Sequence, residues 1–420
     1  MRQFFAMPGF RRLLFSRFCS QWGDGLFQAG LAGAVLFNPE RGADPLTIAT
    51  GFAALLLPYS IVGPFAGALL DRWDRRRVLV VANLLRSVLV AVAAVAVASG
   101  ISSNALFLLA LFVLGLSRFV GSGLSASLPH VVPLRNLVEA NALATTLGAV
   151  VAVSGAGCAV LLRSVFGDGD HGSGMTAAVA VLGSVFAAWI AGRFVKGALG
   201  PDRVDEPAAT MVAVARGLVD GAKAALRAPR VTAGFVALFG HRSAFGISLL
   251  LMVLLMRYSF TDMGPLRAGL SGIGEMAALG GAGILLAGLI TARVVERFGH
   301  RTTVTGALLL GGVSLAGLGL PMALPTVLLA SFLVSGCGQV VKLCVDAAVQ
   351  GDIGDETRGR VFALYDTLFN IAQVLAVAFA ATLVPLDGRS ALLIVIASGL
   401  YLVAVAGYRL TLRRDPQPVG

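Results

Sequence analysis

The sequence predicts an all-α membrane protein of twelve transmembrane helices in two pseudo-symmetric six-helix bundles. Three observations lead there. The 420-residue chain is 57% hydrophobic, with a mean hydropathy of +0.85. Charged residues are 13% of the total, about half the roughly 25% of a soluble domain, too few to cover a soluble fold of this size. The apolar residues also fall into runs of about 20, the length that crosses a bilayer core, and the two halves echo each other at matching places.

The first-half runs are 15–37, 46–70, 78–99, 105–127, 140–163 and 176–196. The second-half runs are 231–256, 269–292, 303–323, 326–350, 360–384 and 390–410. Gly and Pro inside several of them are ordinary in membrane helices. Arg11, Arg12 and Arg17 lead into the first run. No small-residue cleavage pattern followed by polar sequence ends that run, so it reads as a span and not a cleaved signal. Cys19, Cys158, Cys337 and Cys344 lie in apolar runs and read as buried free thiols. The four histidines are scattered and no zinc-like spacing exists, so no metal or other cofactor is expected.

Orientation follows from Lys and Arg. With the N-terminus in the cytoplasm, five of the 33 fall outside: Arg41, Arg163, Arg257, Arg267 and Arg389. Four more, Arg86, Arg118, Arg242 and Lys342, lie within spans. The asymmetry places both termini in the cytoplasm. The net charge of +11 then marks topology and surrounding lipid, not nucleic acid.

Residues 197–230 divide a bundle over 1–196 from one over 231–420. This linker opens as GPDRVDEPAA and then turns helical. Arg216, Asp220, Lys223 and Arg227 share one helix face, while Met211, Val212, Leu218, Val219 and Leu226 lie largely elsewhere. The pattern reads as an amphipathic helix on the cytoplasmic surface, with a solvated linker as the alternative.

The halves repeat weakly. DRWDRRRV at 71–78 aligns with ERFGHRTT at 296–303, an offset of 225. EANALATTLGAV at 139–150 aligns with GRVFALYDTLFN from 359, an offset of 221. Both copies sit after the second span and at the entry to the fifth span of a six-span unit. Two such halves around a central substrate site are a known transporter plan.

GALLDRWDRRRV at 67–78 resembles the signature loop between helices two and three of the major facilitator superfamily, roughly G-x-x-x-D-[RK]-x-G-R-[RK]. Gly67, Asp71, Arg72, Arg75 and Arg76 match, and Asp74 stands where the family usually has Gly. The second copy keeps Glu296, Arg297, Gly299 and Arg301, with Ala292 for the first Gly. LSRFVGSGLSAS at 116–127 partly resembles the family's fourth-helix motif through Arg118. SGAGCA at 154–159 keeps Gly155 and Gly157 of the fifth-helix motif of proton-driven drug exporters but has Ala156 for its Pro. The RGRVFAL entry to the eleventh span looks like the bacterial exporter branch. The resemblance covers essentially the whole chain.

It implies a cytoplasmic gate. Asp71 would face the start of the eleventh helix, DETRGRV, where Arg358 or Arg360 adds a salt bridge. A carboxylate is stabilised at such a helix N-terminus. Glu296, with Arg297 and Arg301, would mirror it near Arg135. The plainer alternative makes the loop arginines positive-inside anchors. We take that reading for Arg75 and Arg77, and the latch for Asp71 and Arg76.

Charges within spans point to the site, because each costs roughly 2.5–3.5 kcal/mol at a helix centre. Asp24 lies about ten residues into the first span, and His241 and Arg242 at comparable depth in the seventh. Asp24 is read as a proton or substrate-cation site whose charge Arg242 or His241 holds, with a static ion pair as the alternative. Glu275 is a second candidate acid, or one that faces outer-leaflet water. Arg118 pairs with an acid or binds substrate anions. Lys342 and Asp346, at i,i+4, read as an intrahelical ion pair, and Asp366 as part of the inner vestibule. Trp22, Phe27, Tyr59, Phe119 and Phe245 line an apolar cavity or pack the core.

The function expected is secondary active transport by alternating access, with proton-coupled efflux of small amphiphilic or cationic molecules by a monomer. A lipid or siderophore exporter, or an importer, is the alternative. A polytopic enzyme or non-transporting scaffold is the third reading. An enzyme would cluster His, Asp and Cys at one interface, and neither that nor a phosphate-binding loop is found. Asp71→Asn is expected to insert normally and to cripple transport. Wild-type uptake or efflux by membrane vesicles carrying it would reject the latch.

Overall fold

The computed structural model describes residues 5–36, 44–53, 57, 73–101, 104–133, 137–200 and 211–413. The helices are α1 (Pro8–Leu36), α2 (Arg75–Ala98), α3 (Asn104–Ala126), α4 (Leu137–Phe166), α5 (Asp170–Gly192) and α6 (Met211–Arg227). They continue with α7 (Pro229–Leu254), α8 (Gly269–Phe298), α9 (His300–Gly319), α10 (Leu324–Asp352), α11 (Asp355–Ala381) and α12 (Ala391–Leu412). Most of the expected second span, with Gly67, Asp71 and Arg72, lies outside the described residues. So do Arg135 and the side chain of Arg358. A helical stretch at 45–53 precedes that gap.

Ten helices among the described residues are long and apolar enough to cross a membrane. The 29-residue α1 is not one of them. Its sequence carries Arg17, Ser20, Gln21, Asp24 and Gln28, which lower its hydropathy and share one helical face. Several helices outrun the spans read from hydropathy. Thus α8 continues six residues past 292, to Phe298, because backbone pairing does not stop where the apolar run does.

The chain divides into two compact units, residues 1–42 with 54–214, and residues 43–53 with 215–420. In the first, α1 packs on α4 and α5, and α2 on α3 and α5. In the second, α7 packs on α10, α11 and α12, α8 on α10, and α9 on α10 and α12. Lipid tails are as apolar as leucine, so close backbone approach must drive such contacts. Glycine permits it. A Cβ at Gly25 would overlap the carbonyl oxygen of Ala152, and one at Gly155 that of Trp22. Gly283 meets the carbonyl of Phe332 in the same way between α8 and α10. Of the two glycines in SGAGCA, Gly155 therefore makes the α1–α4 contact, while Gly157 faces open space.

The described part of the charged loop, from 73 onward, has a local structural role. Asp74 is the N-cap of α2, its carboxylate accepting from the Arg76 backbone N–H at 3.0 Å. The aligned Gly299 separates α8 from α9 at φ 77°, and there no side chain caps α9. Where the second copy has a glycine with a positive φ, the first copy thus has a side-chain cap. Arg75 is buried and donates to the carbonyl of Ala126 at the end of α3 (2.9 Å). This corrects its reading as a plain anchor. Arg76 donates to Gly192 O at the end of α5 (2.8 Å), a partner within its own unit that the latch reading did not foresee. Both guanidiniums sit at helix C-termini, where free carbonyls and the dipole favour cations. His300, aligned with Arg75, bonds the carbonyl of Cys344 in α10 (2.9 Å).

The linker helix α6 lies against α11. Gly221 approaches the backbone of Arg360, and Asp220 pairs with the Arg360 guanidinium at 3.7 Å, both about half exposed. Arg360, expected at the gate, is thus engaged by α6. Val219 and Leu226 remain exposed, as on an amphipathic surface helix.

Asp74→Ala is expected to cost about 1 kcal/mol through the lost cap, read as a lower melting temperature in detergent. Gly25→Val is expected to cost more, on the order of 1–3 kcal/mol from overpacking. Gly157→Val should leave the same melt unchanged.

Candidate functional site

In the first unit the polar face of α1 meets α2, α3 and α5. Asp24 Oδ1 lies 2.8 Å from Arg86 Nη1, with Arg86 1% and Asp24 17% exposed. Ser117 of α3 donates to the same carboxylate oxygen at 2.6 Å. Arg86 Nε donates to Ser184 Oγ of α5, and Nη1 to Ser20 Oγ of α1, both at 3.0 Å. One charge pair, its arginine buried and its aspartate partly buried, therefore joins four helices. The expectation that Arg242 or His241 holds the charge of Asp24 is corrected: Arg86 holds it. Arg86 was visible only as a lone arginine in an apolar run, and nothing in the spacing of 24 and 86 tied the two together.

Beside this pair lies a pocket of about 510 Å³. Its α1 wall is Arg17, Ser20, Gln21, Asp24 and Gln28, and its α3 wall includes Ser117, Arg118, Ser122 and Ser125. Arg118 and Asp24, both read from the sequence, thus share a cavity. Arg17 and Gln21 were not singled out. The signal for them was present: positions 17, 20, 21, 24 and 28 follow the i, i+3, i+4, i+7, i+11 rows of one helix face. Among the aromatics, Phe27 is buried in the core of this unit and Trp22 packs against it. Tyr59 lies outside the described residues.

The second unit holds a separate polar cluster. Lys342 Nζ is 2.6 Å from Asp346 Oδ2, the expected i,i+4 pair. Tyr365 of α11 donates to Asp346 Oδ1 at 2.9 Å. Its ring packs edge-on against Phe369, with centroids 4.7 Å apart. Arg242 donates to Gln373 Oε1 at 3.3 Å, with Tyr365 and Asp366 among its electrostatic neighbours. His241 is buried. Its Nδ1 lies 2.9 Å from the Tyr401 hydroxyl, its ring stacks near Phe245, and Gly338 leaves room for it.

Glu275 has a local role. Its carboxylate accepts from the Arg267 backbone N–H at 3.2 Å, which ties α8 to the connection before it. Asp262 completes that tie, accepting from the Ala268 N–H at 2.8 Å and from Arg267 Nη1 at 3.0 Å. The Ala268 N–H and the Arg267 side chain hold the Asp262 carboxyl below its ordinary range. Of the gate residues of the second copy, Glu296 and Arg301 are exposed. Arg297 lies over the Phe298 ring, 5.6 Å from its centroid.

The family model described as Major Facilitator Superfamily matches residues 13–282 and 263–420. The chain belongs to the major facilitator superfamily. It is 42% identical over 420 residues to an uncharacterized MFS-type transporter of Mycobacterium tuberculosis, covering 99% of this chain and 94% of that protein. A Mycobacterium bovis MFS-type transporter matches equally. The fold resembles that of a point mutant of the nucleoside transporter NupG, with TM-score 0.72 and 13% identity over 96% of this chain and 99% of the other. It also resembles a POT family transporter in complex with 5-aminolevulinic acid, with TM-score 0.70 and 16% identity over 97% and 96% of the two chains. At these identities the two structures speak for the fold alone. The chain is thus an MFS transporter and a multi-pass membrane protein.

Arg86→Gln should destabilise by roughly 1–3 kcal/mol, because it leaves the partly buried Asp24 carboxylate without its counter-charge. The double variant Asp24→Asn with Arg86→Gln should recover much of that loss. Thermal melts of both single variants and the double one check this. Additive losses would mean the pair contributes no coupling.

Proposed function

We propose that this MFS transporter is a secondary active, proton-coupled carrier. In this reading it works by alternating access and moves small amphiphilic molecules out of the cell. The observation that carries the reading is the Asp24–Arg86 pair on the wall of a polar pocket. A carboxylate held by one guanidinium and one hydroxyl has two states. Ionised, it neutralises Arg86 and keeps α1, α2 and α3 together. Protonated, it leaves Arg86 uncompensated in a low-dielectric site, a state that favours a different packing or an incoming anion. Proton binding is thereby linked to the arrangement of the helices around the pocket.

The export direction rests on the likeness of the gate and eleventh-helix residues to bacterial exporters. The Lys/Arg asymmetry supports cytoplasmic termini, and the likeness to bacterial exporters supports a place in the bacterial inner membrane. The same proposal takes the protein as a monomer whose partners are substrate, protons and lipid. Asp71 and Glu296 act in it as gate acids at the ends of their bundles.

In proteoliposomes, Asp24→Asn should abolish substrate-driven proton movement while the protein still melts cooperatively. Proton flux like that of wild type, with the same pH dependence, would reject Asp24 as the coupling group.

A further inference from the structure

Arg17 does not behave like the arginines around it. Arg11 and Arg12, one and a half turns earlier in α1, are exposed, as topology anchors should be. Arg17 is 8% exposed. Among the described residues it forms no ion pair, and its Nε is buried without a hydrogen-bond partner. A buried guanidinium without a counter-charge is costly. Its neighbours do not relieve that cost. Asp24, two turns along the same face, is taken by Arg86 at 2.8 Å. Ser117 already donates to Asp24. Arg17 nevertheless lines the 510 Å³ pocket. The same region leaves two more buried atoms without partners, Arg86 Nη2 and Gln21 Oε1.

We infer that the ligand of this pocket carries an oxyanion, of the carboxylate class, that docks on Arg17. The guanidinium offers planar paired donors that match a carboxylate. Gln21 supplies an amide one turn further along α1, and the serines of α3 supply hydroxyls for polar groups beyond the anion. This inference rests on the transport reading in calling the ligand a substrate. It replaces the cationic substrate expected from Asp24 alone, because the charge of Asp24 is already neutralised.

The test uses the full chain in neutral detergent and a matched trio of probes: 1-naphthylacetate, its amide, and 1-naphthylethylammonium. Titration calorimetry on wild type should show the anion binding about tenfold or more tighter than the amide, the scale of one charge-assisted hydrogen bond. Arg17→Gln should erase that preference. Gln21→Glu guards against a folding failure of that variant. It offers Arg17 an internal carboxylate at i+4, so it should also erase the preference while keeping or raising the melting temperature. Failure of the anion to bind, equal or tighter binding of the amide or the ammonium, or an anion preference that survives in either variant overturns the inference. Naphthylacetate-driven proton flux in liposomes separates the two proposals. Arg17-dependent binding without flux supports the site and counts against the transport of this anion. Flux without Arg17-dependent binding overturns the site alone.

Discussion

Arg86 sets the terms for the first unit. A guanidinium 1% exposed inside a helix bundle persists only if its charge is met, and the groups that meet it come from α1, α3 and α5. Asp24, Ser20, Ser117 and Ser184 are therefore constrained in position by one demand for compensation. The polar pocket is the other side of that arrangement. Once α1 must turn Asp24 and Ser20 toward Arg86, the rest of its polar stripe, from Arg17 to Gln28, faces the same space. The second unit meets its own charges differently. Lys342 and Asp346 pair within one helix, and Tyr365 joins them from the next.

The fold was legible because membrane solubility leaves few ways to place backbone hydrogen bonds. Apolar runs of bilayer length can be little else than helices, and the charged hinges between them locate the turns. Helix ends were less legible, since α8 and α4 run on past their apolar segments. The site was legible in part. Asp24 and Arg118 stand out as charges inside apolar runs, and they do share a pocket. Arg86 stood out equally, yet its pairing with Asp24 depends on which faces of α1 and α2 meet. That is tertiary information with no periodic trace in either helix. The pairing of Asp24 with His241 or Arg242 was drawn from aligned positions in the repeat. Aligned positions carry equivalent depth; they do not carry contact. Arg17 was hidden for another reason. Standing behind Arg11 and Arg12, it reads as one more positive-inside residue until its burial is known.

The repeated loop shows how far two copies of one motif can diverge in chemistry while each starts a helix at the aligned residue. Gly299 turns the chain with a positive φ, and Asp74 begins a helix with its carboxylate. Arg75 and His300 both seek a carbonyl on the neighbouring helix, one at Ala126 and the other at Cys344. The arginines of this hinge thus close off helix ends within the first unit. That structural work stands apart from the gating that Asp71 is proposed to perform.

The glycine contacts of α1 have a mechanical consequence. Gly25 and Gly155 bring the backbones of α1 and α4 together at their own contact, and Gly23 and Gly183 do the same between α1 and α5, although Gln21 seats its side chain against Gly148 of α4. Where knobs fill holes, a helix moves along its neighbour by jumping between rotamer sets. Where backbone rests on backbone, no such notches exist, and a small axial slip exchanges one set of dispersion contacts for a similar one. At those glycines, the helix that carries Arg17 and Asp24 rests on smooth bearings, and its polar bonds hold it in place.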